Sequence, residues 1–167
     1  MAQLSVRMVD ALNSLYRHEL TNHLIYSQFR AWASFRGLLG AEKWLKDQAD
    51  GEAGHAEKVF AYVLERNDIL EPAPFAFPGP LGDTTFRGIF DAVLALERGT
   101  TDAWSAAYAQ AMAEGDYLTA QWLMEPGSLL AEQREEESIA QTIVDRIATR
   151  GEDAAAIHDI DVWLGGL

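Results

Sequence analysis

The chain has 167 residues, 49% of them hydrophobic and 23% charged, and no cysteine. That is enough for one globular domain with its own core, and it excludes a disulfide framework, thiolate zinc sites, iron–sulfur ligation and a cysteine nucleophile. With 13 Lys and Arg against 26 Asp and Glu, the formal charge is −13, which repels nucleic acid and anionic membranes and attracts cations. The opening MAQLSVRMVD carries no leader-like apolar run, and no stretch of ~18 apolar residues occurs, so a cytoplasmic protein with no membrane or nucleic-acid partner is expected.

Glycine and proline divide the chain. Residues 5–36 hold neither, and residues 41–70 hold only Gly51 and Gly54. The segment ILEPAPFAFPGPLGD then carries Pro72, Pro74, Pro78 and Pro80, which no helix tolerates. Residues 83–113 hold only Gly88 and Gly99; Pro126 and Gly127 interrupt once more before a clear run over 128–150. Sustained period-two alternation of β-branched residues is absent. Steps of three and four predict helical stripes instead. The first runs Met8, Leu12, Leu15, Glu19, His23, Tyr26, Arg30, Ala33, and the second Ala41, Leu45, Gln48, Glu52, His55, Val59, Tyr62. The third runs Phe86, Phe90, Val93, Glu97, Thr101, Trp104, Tyr108, Ala111, with Asp83 as its expected N-cap. The fourth runs Leu129, Gln133, Glu136, Ala140, Ile143, Ile147, and a short fifth helix is expected at about 152–163.

The connections predict topology. Gly37 to Gly40 is short enough for an antiparallel hairpin, and so is the turn near Gly115. A helix of ~27 residues is ~40 Å long, whereas ~15 extended residues reach ~50 Å. The Pro-rich link at about 68–82 can therefore run the length of the molecule and make the second and third helices parallel. The expected fold is all-α: a four-helix bundle with one long crossover and a short fifth C-terminal helix, in a single domain over 1–167.

Each stripe carries polar residues near mid-helix, where leucine is the ordinary choice: Glu19 and Tyr26, Glu52 and His55, Glu97, and Gln133 with Glu136. Taken singly, a glutamate on a helix is usually solvated and a core histidine is usually just hydrogen-bonded. On four helices at one depth, the carboxylates call for a compensating cation, since an unpartnered buried carboxylate costs several kcal/mol. Carboxylate oxygens with one imidazole suit iron or manganese, with zinc as competitor. Glu52, between the glutamates of the first and third helices, is the natural bridge; Glu19 and His55 complete one metal and Glu97 the other. In the run 132–137 only Gln133 and Glu136 lie on the stripe, with Glu132 one position off it.

The pieces HELTNHLIY (18–26), DGEAGHAEK (50–58), LALERG (94–99) and AEQREEE (131–137), with AAAIHDIDVWL (154–164), resemble the ferritins, specifically the non-haem bacterial branch, over essentially the whole chain. The resemblance implies a ferroxidase centre with Glu19, Glu52 and His55 on one iron, Glu52 and Glu97 on the second, Gln133 beside it and Tyr26 adjacent. Glu136 matches a glutamate of bacterial ferritins, some of which hold a third iron there, here with Glu132 and Glu135. Gly51 stands where another glutamate often precedes the bridge, which weakens that third site. Ala53 stands where haem-bearing relatives place their methionine, and the fourth helix has Gln133 and Glu136 in place of Glu-x-x-His, so no haem is expected. About three extra residues around Met124-Glu125-Pro126-Gly127-Ser128 lie where the family builds its three-fold channels; Glu114, Asp116 and Glu125 are candidates there and no more.

The implied function is Fe(II) oxidation by dioxygen or peroxide and storage of ferric mineral inside a homo-oligomeric cage, a 24-mer in this family. A di-iron redox enzyme that reduces peroxide without storing mineral is the alternative, and a cage subunit without catalysis is a third class.

Overall fold

The computed structural model describes residues 3–71, 74, 77–125 and 129–167. Pro72 and the extra residues at Pro126, Gly127 and Ser128 lie outside them. Among the described residues the elements are α1 (Val6–Phe35), α2 (Leu39–Glu65), α3 (Phe86–Glu114), α4 (Tyr117–Met124), α5 (Leu129–Arg150) and α6 (Ala154–Leu164), with no strand. The expected fourth helix is thus in two pieces, α4 and α5, on either side of the Pro126 segment.

The helix ends follow local chemistry. Ser5 caps α1 by accepting the Met8 N–H, Asp116 caps α4, and Asp153 caps α6 through the Ala155 and Ala156 N–H groups. At α3 the cap is Thr85, whose hydroxyl accepts the Gly88 N–H, rather than Asp83. α1 and α3 stop at Gly37 and Gly115, whose φ of 71° and 70° turn the chain away at little cost for glycine.

The start of α2 has no side-chain cap of its own. Asp161 of α6 supplies it from 120 residues away, accepting the Ala41 N–H at 2.8 Å. The approach is so close that a Cβ on Gly40 would lie 1.7 Å from the Asp161 carbonyl oxygen. Glycine at position 40 is therefore what lets α6 fold onto the bundle end.

The crossover runs lengthwise along α1. The Glu71 N–H donates to Asn13 and the Gln28 amide donates to the Pro78 carbonyl. Fifteen helical residues from Asn13 to Gln28 rise about 22 Å, so the Glu71 and Pro78 contacts lie far apart along α1. α2 and α3 consequently run parallel, with Trp44 and Phe90 packed near their starts.

The core has two apolar halves. One gathers Tyr26, Phe29, Trp44, Phe90, Ile143, Ile147, Ile160 and Leu164 at the α6 end. The other gathers Met8, Leu12, Leu15, Val59, Trp104, Leu123 and Leu129 at the α4 end. Between them, on all four long helices, lies a buried polar layer: Glu19, Asn22, Glu52, His55, Glu97, Thr100 and Gln133.

Two glycine-to-alanine changes should separate packing from propensity. Gly40→Ala should destabilise the protein by about 1–3 kcal/mol, as overpacking does. Gly54→Ala, in the interior of α2 with nothing within 4 Å of the new Cβ, should stabilise it by roughly 0.5–1 kcal/mol. Denaturant unfolding of both variants checks the opposite signs.

Candidate metal centre

Helical spacing sets the layer. Glu52 and His55 are one turn apart and face inward from α2, opposite Glu19 on α1. One ligand atom each from Glu19, Glu52 and His55 lie within 4.8 Å of one another, and all three residues are buried. His55 Nδ1 stands 3.5 Å from Glu19 Oε2 and 3.4 Å from Glu52 Oε2.

The histidine's other nitrogen is held as well. His55 Nε2 lies 3.2 Å from Glu132 Oε2, and Lys58 donates to the same carboxylate at 2.9 Å. An outer carboxylate on one ring nitrogen turns the other toward the ligand position, the arrangement that metal-binding histidines use. Glu132 therefore sits behind His55.

A second group adjoins the first. Tyr26 OH donates to Glu97 Oε1, and the Gln133 amide donates to Glu97 Oε2 at 2.7 Å and to the Glu97 carbonyl at 3.2 Å. Glu97 is outside the close trio, but its charge acts on Glu52. Glu136 is half-buried on the same side, and Glu135 is exposed. The sequence-predicted residues thus fall into a trio, Glu19, Glu52 and His55, and a neighbouring group, Glu97, Gln133 and Tyr26, with Glu136 at the edge.

Spacing does not give the contacts around the layer, and it leaves Asn22 and Thr100 off the stripes. Trp104 Nε1 donates to Glu19 Oε1 at 2.7 Å. Asn22 Nδ2 donates to Thr100 Oγ1 at 2.9 Å and reaches Glu52 Oε1 at 3.5 Å, and Thr100 Oγ1 lies 3.0 Å from His18 Nε2. The spacing rule admits both members of each pair 22/23 and 100/101. The structure buries Asn22 and Thr100 and leaves His23 and Thr101 half-buried.

Burial and the closeness of the carboxylates set the electrostatics of the layer. Burial drives the Glu52 carboxyl up to about 9, helped by the Glu19 and Glu97 charges and opposed by a hydrogen bond from His55. Burial also acts to raise Glu19, but hydrogen bonds with His55 and Glu52 outweigh it and hold Glu19 below its ordinary value. The pair thus shares one proton. Burial disfavours a charged His55, yet its bonds to Glu19 and Glu52 and the charge of Glu136 hold it protonated up to about 10. Glu97 is raised by burial, against the hydrogen bonds of Tyr26 and Gln133, and Glu136 is raised by burial to about 7. Protons occupy the positions a cation would neutralise.

Four antiparallel-paired helices, a lengthwise crossover and a carboxylate–histidine layer at mid-height define a ferritin-like bundle. The sequence profile of the ferritin-like domain matches residues 9–150. The chain belongs to the ferritin family. It is 27% identical to the bacterial non-heme ferritin of Escherichia coli O6:H1 (strain CFT073), over 98% of this chain and 97% of that one. It is 30% identical to the bacterial non-heme ferritin of Bacteroides fragilis (strain 638R), over 97% and 98%. In three dimensions it matches an open pore ferritin of the hyperthermophilic archaeon Archaeoglobus fulgidus with a TM-score of 0.89 and 30% identity, covering 99% of this chain and 98% of that one.

The pKa shifts carry a prediction. Glu52 and His55 bind protons more tightly folded than unfolded, so in the cation-free chain that stabilisation is full below 4.5 and 6.5 and is lost as pH rises through about 9 and 10. A divalent cation must displace both protons. Binding of the first Zn(II) at pH 7 should release about two protons per chain and tighten with rising pH. Glu52→Gln should release about one. Calorimetry in buffers of different ionisation enthalpy measures this; release unaffected by Glu52→Gln contradicts it.

Proposed function

We propose that the polar layer is a ferroxidase centre and that the chain, read as a single ferritin-like domain over 1–167, is an iron-storage ferritin. The observation that carries this is the buried trio Glu19, Glu52 and His55 within 4.8 Å, flanked by Glu97 and Gln133 midway along the bundle. Iron is substrate and cargo. Glu19, Glu52 and His55 take one Fe(II); Glu52 and Glu97 take the other, with Gln133 fixing the Glu97 carboxylate. Carboxylates favour the harder Fe(III) over Fe(II), so the donor set promotes oxidation.

Two Fe(II) give one electron each to dioxygen, which takes two protons and leaves as hydrogen peroxide. The protons displaced from Glu52 and His55 match that demand in number. Tyr26, with its phenol pushed well up by burial and by Glu97, stays protonated, donates to Glu97 and orients it beside the second iron. Glu136, at the edge of the layer, receives ferric ions leaving the centre. The net charge of −13 concentrates Fe(II) around the protein. In this reading copies of the chain form the cytoplasmic 24-mer cage typical of the family, and no haem is bound.

Glu52→Ala should slow initial Fe(II) oxidation by about 10–100-fold or more, taking metal-site losses as the scale, whereas Glu57→Ala, exposed on the same helix, should not. Stopped-flow absorbance of ferric product measures both, and a wild-type initial rate in Glu52→Ala refutes the assignment. Glu136→Ala should preserve the first fast phase and alter the later one, in which iron leaves for the cavity. Protein expressed with ample haem should show no Soret band; a stoichiometric band overturns the non-haem reading.

A further inference from the structure

We propose that Trp104, Trp122 and Tyr62 form a relay that carries one oxidising equivalent from the iron centre to the α4 end of the bundle, so that hydrogen peroxide is consumed even when one Fe(II) occupies the subunit. The proposal rests on the ferroxidase reading of the polar layer and extends it.

Buried aromatic rings ordinarily just fill a core. Here the donors and acceptors are arranged in series. Trp104 is fully buried, and its single N–H goes to Glu19 Oε1 at 2.7 Å. An indole that loses an electron becomes far more acidic, and the hydrogen bond to Glu19 gives its proton a path out. The Trp104 ring lies 6.2 Å from that of Trp122, within the range of interacting aromatic pairs. Trp122 stacks on Tyr62 at 4.0 Å and 12°.

The far end also has a proton acceptor. Tyr62 OH lies 2.8 Å from Thr119 Oγ1, whose hydroxyl donates to Asp116 Oδ2 at 2.6 Å. Arg66 donates to the Tyr62 oxygen at 2.6 Å and pairs with Asp116 at 3.1 Å. Arg66 and Asp116 line an open cavity of about 550 Å³ with Ser5 and Glu114. The series thus begins on an iron-ligand carboxylate and ends beneath solvent.

The chemistry balances. Hydrogen peroxide needs two electrons and two protons to become two waters. Fe(II) supplies one electron and becomes Fe(III). Trp104 supplies the other and its indole proton, through Glu19, and solvent supplies the second proton. The neutral Trp104 radical then takes an electron from Trp122, which takes one from Tyr62, while a further solvent proton restores the Trp104 N–H by way of Glu19. The Tyr62 proton passes to Thr119, whose own goes to Asp116. A one-electron reductant of the thiol class, or another Fe(II), in the cavity at Arg66 and Asp116 returns the electron to Tyr62, and Asp116 returns its proton through Thr119.

Freeze-quench electron paramagnetic resonance tests this on assembled protein loaded anaerobically with one Fe(II) per chain and mixed with one equivalent of hydrogen peroxide. The expected result is an organic radical whose spectrum changes with deuterated tryptophan and deuterated tyrosine. Trp104→Phe should abolish it. Trp122→Phe and Tyr62→Phe, which leave the contacts of the centre untouched, should keep the tryptophan component and remove the tyrosine one. No radical in the wild type, a radical indifferent to Trp104→Phe, or one lost only in Tyr26→Phe overturns the relay. Aerobic oxidation of two Fe(II) per chain is measured in parallel. If wild type does not oxidise them, the ferroxidase reading itself has failed; if wild type and Trp122→Phe oxidise them equally and no Trp104-dependent radical forms, the relay alone has failed.

Discussion

The structure depends on a layer of carboxylates buried where a helical bundle would normally place leucine. Glu19, Glu52 and Glu97 are each almost inaccessible to water, and an ionised carboxylate buried alone costs several kcal/mol. A domain's whole margin of stability is about 5–15 kcal/mol, so three free charges at one depth would consume it. The cation-free chain answers with protons, one shared by Glu19 and Glu52 and one on His55. Carboxylates and an imidazole gathered in one buried layer suit a multivalent cation.

The remaining architecture serves this layer. Apolar plugs above and below it, around Phe90 and around Trp104, exclude water and strengthen every charge interaction between them. The outer contacts orient its side chains: Trp104 on Glu19, Glu132 on His55, Gln133 and Tyr26 on Glu97. The crossover sets α2 and α3 parallel and so brings Glu52 and Glu97 into one layer. α6 closes one end, where Asp161 caps α2 over Gly40. The relay proposed above draws on the other end, where α4 brings Trp122 against Tyr62 and Trp104.

The bundle was readable because the steps of three and four are long and uninterrupted, and proline marks the crossover by excluding helix. The layer was readable for a related reason: glutamate recurs at mid-helix on inward stripes. What sequence left open follows from geometry. After Glu19 a stripe can continue through Asn22 and Phe29 or through His23 and Arg30, and both obey the period. Neighbouring helices decide, burying Phe29 and exposing Arg30. The same ambiguity hid Thr100 behind Thr101. Asp83 fits an N-cap by type, but the helix begins after Thr85. The Glu132 contact with His55 and the Asp161 contact with Ala41 join distant segments, which no local pattern encodes.

Anomalous diffraction at the iron absorption edge, from crystals soaked anaerobically in Fe(II), tests the central claim most directly. Two iron peaks in the polar layer are predicted, one against Glu19, Glu52 and His55 and one against Glu52 and Glu97, both sharing Glu52. Iron bound only at surface carboxylates, with this layer empty at saturating Fe(II), would contradict the account.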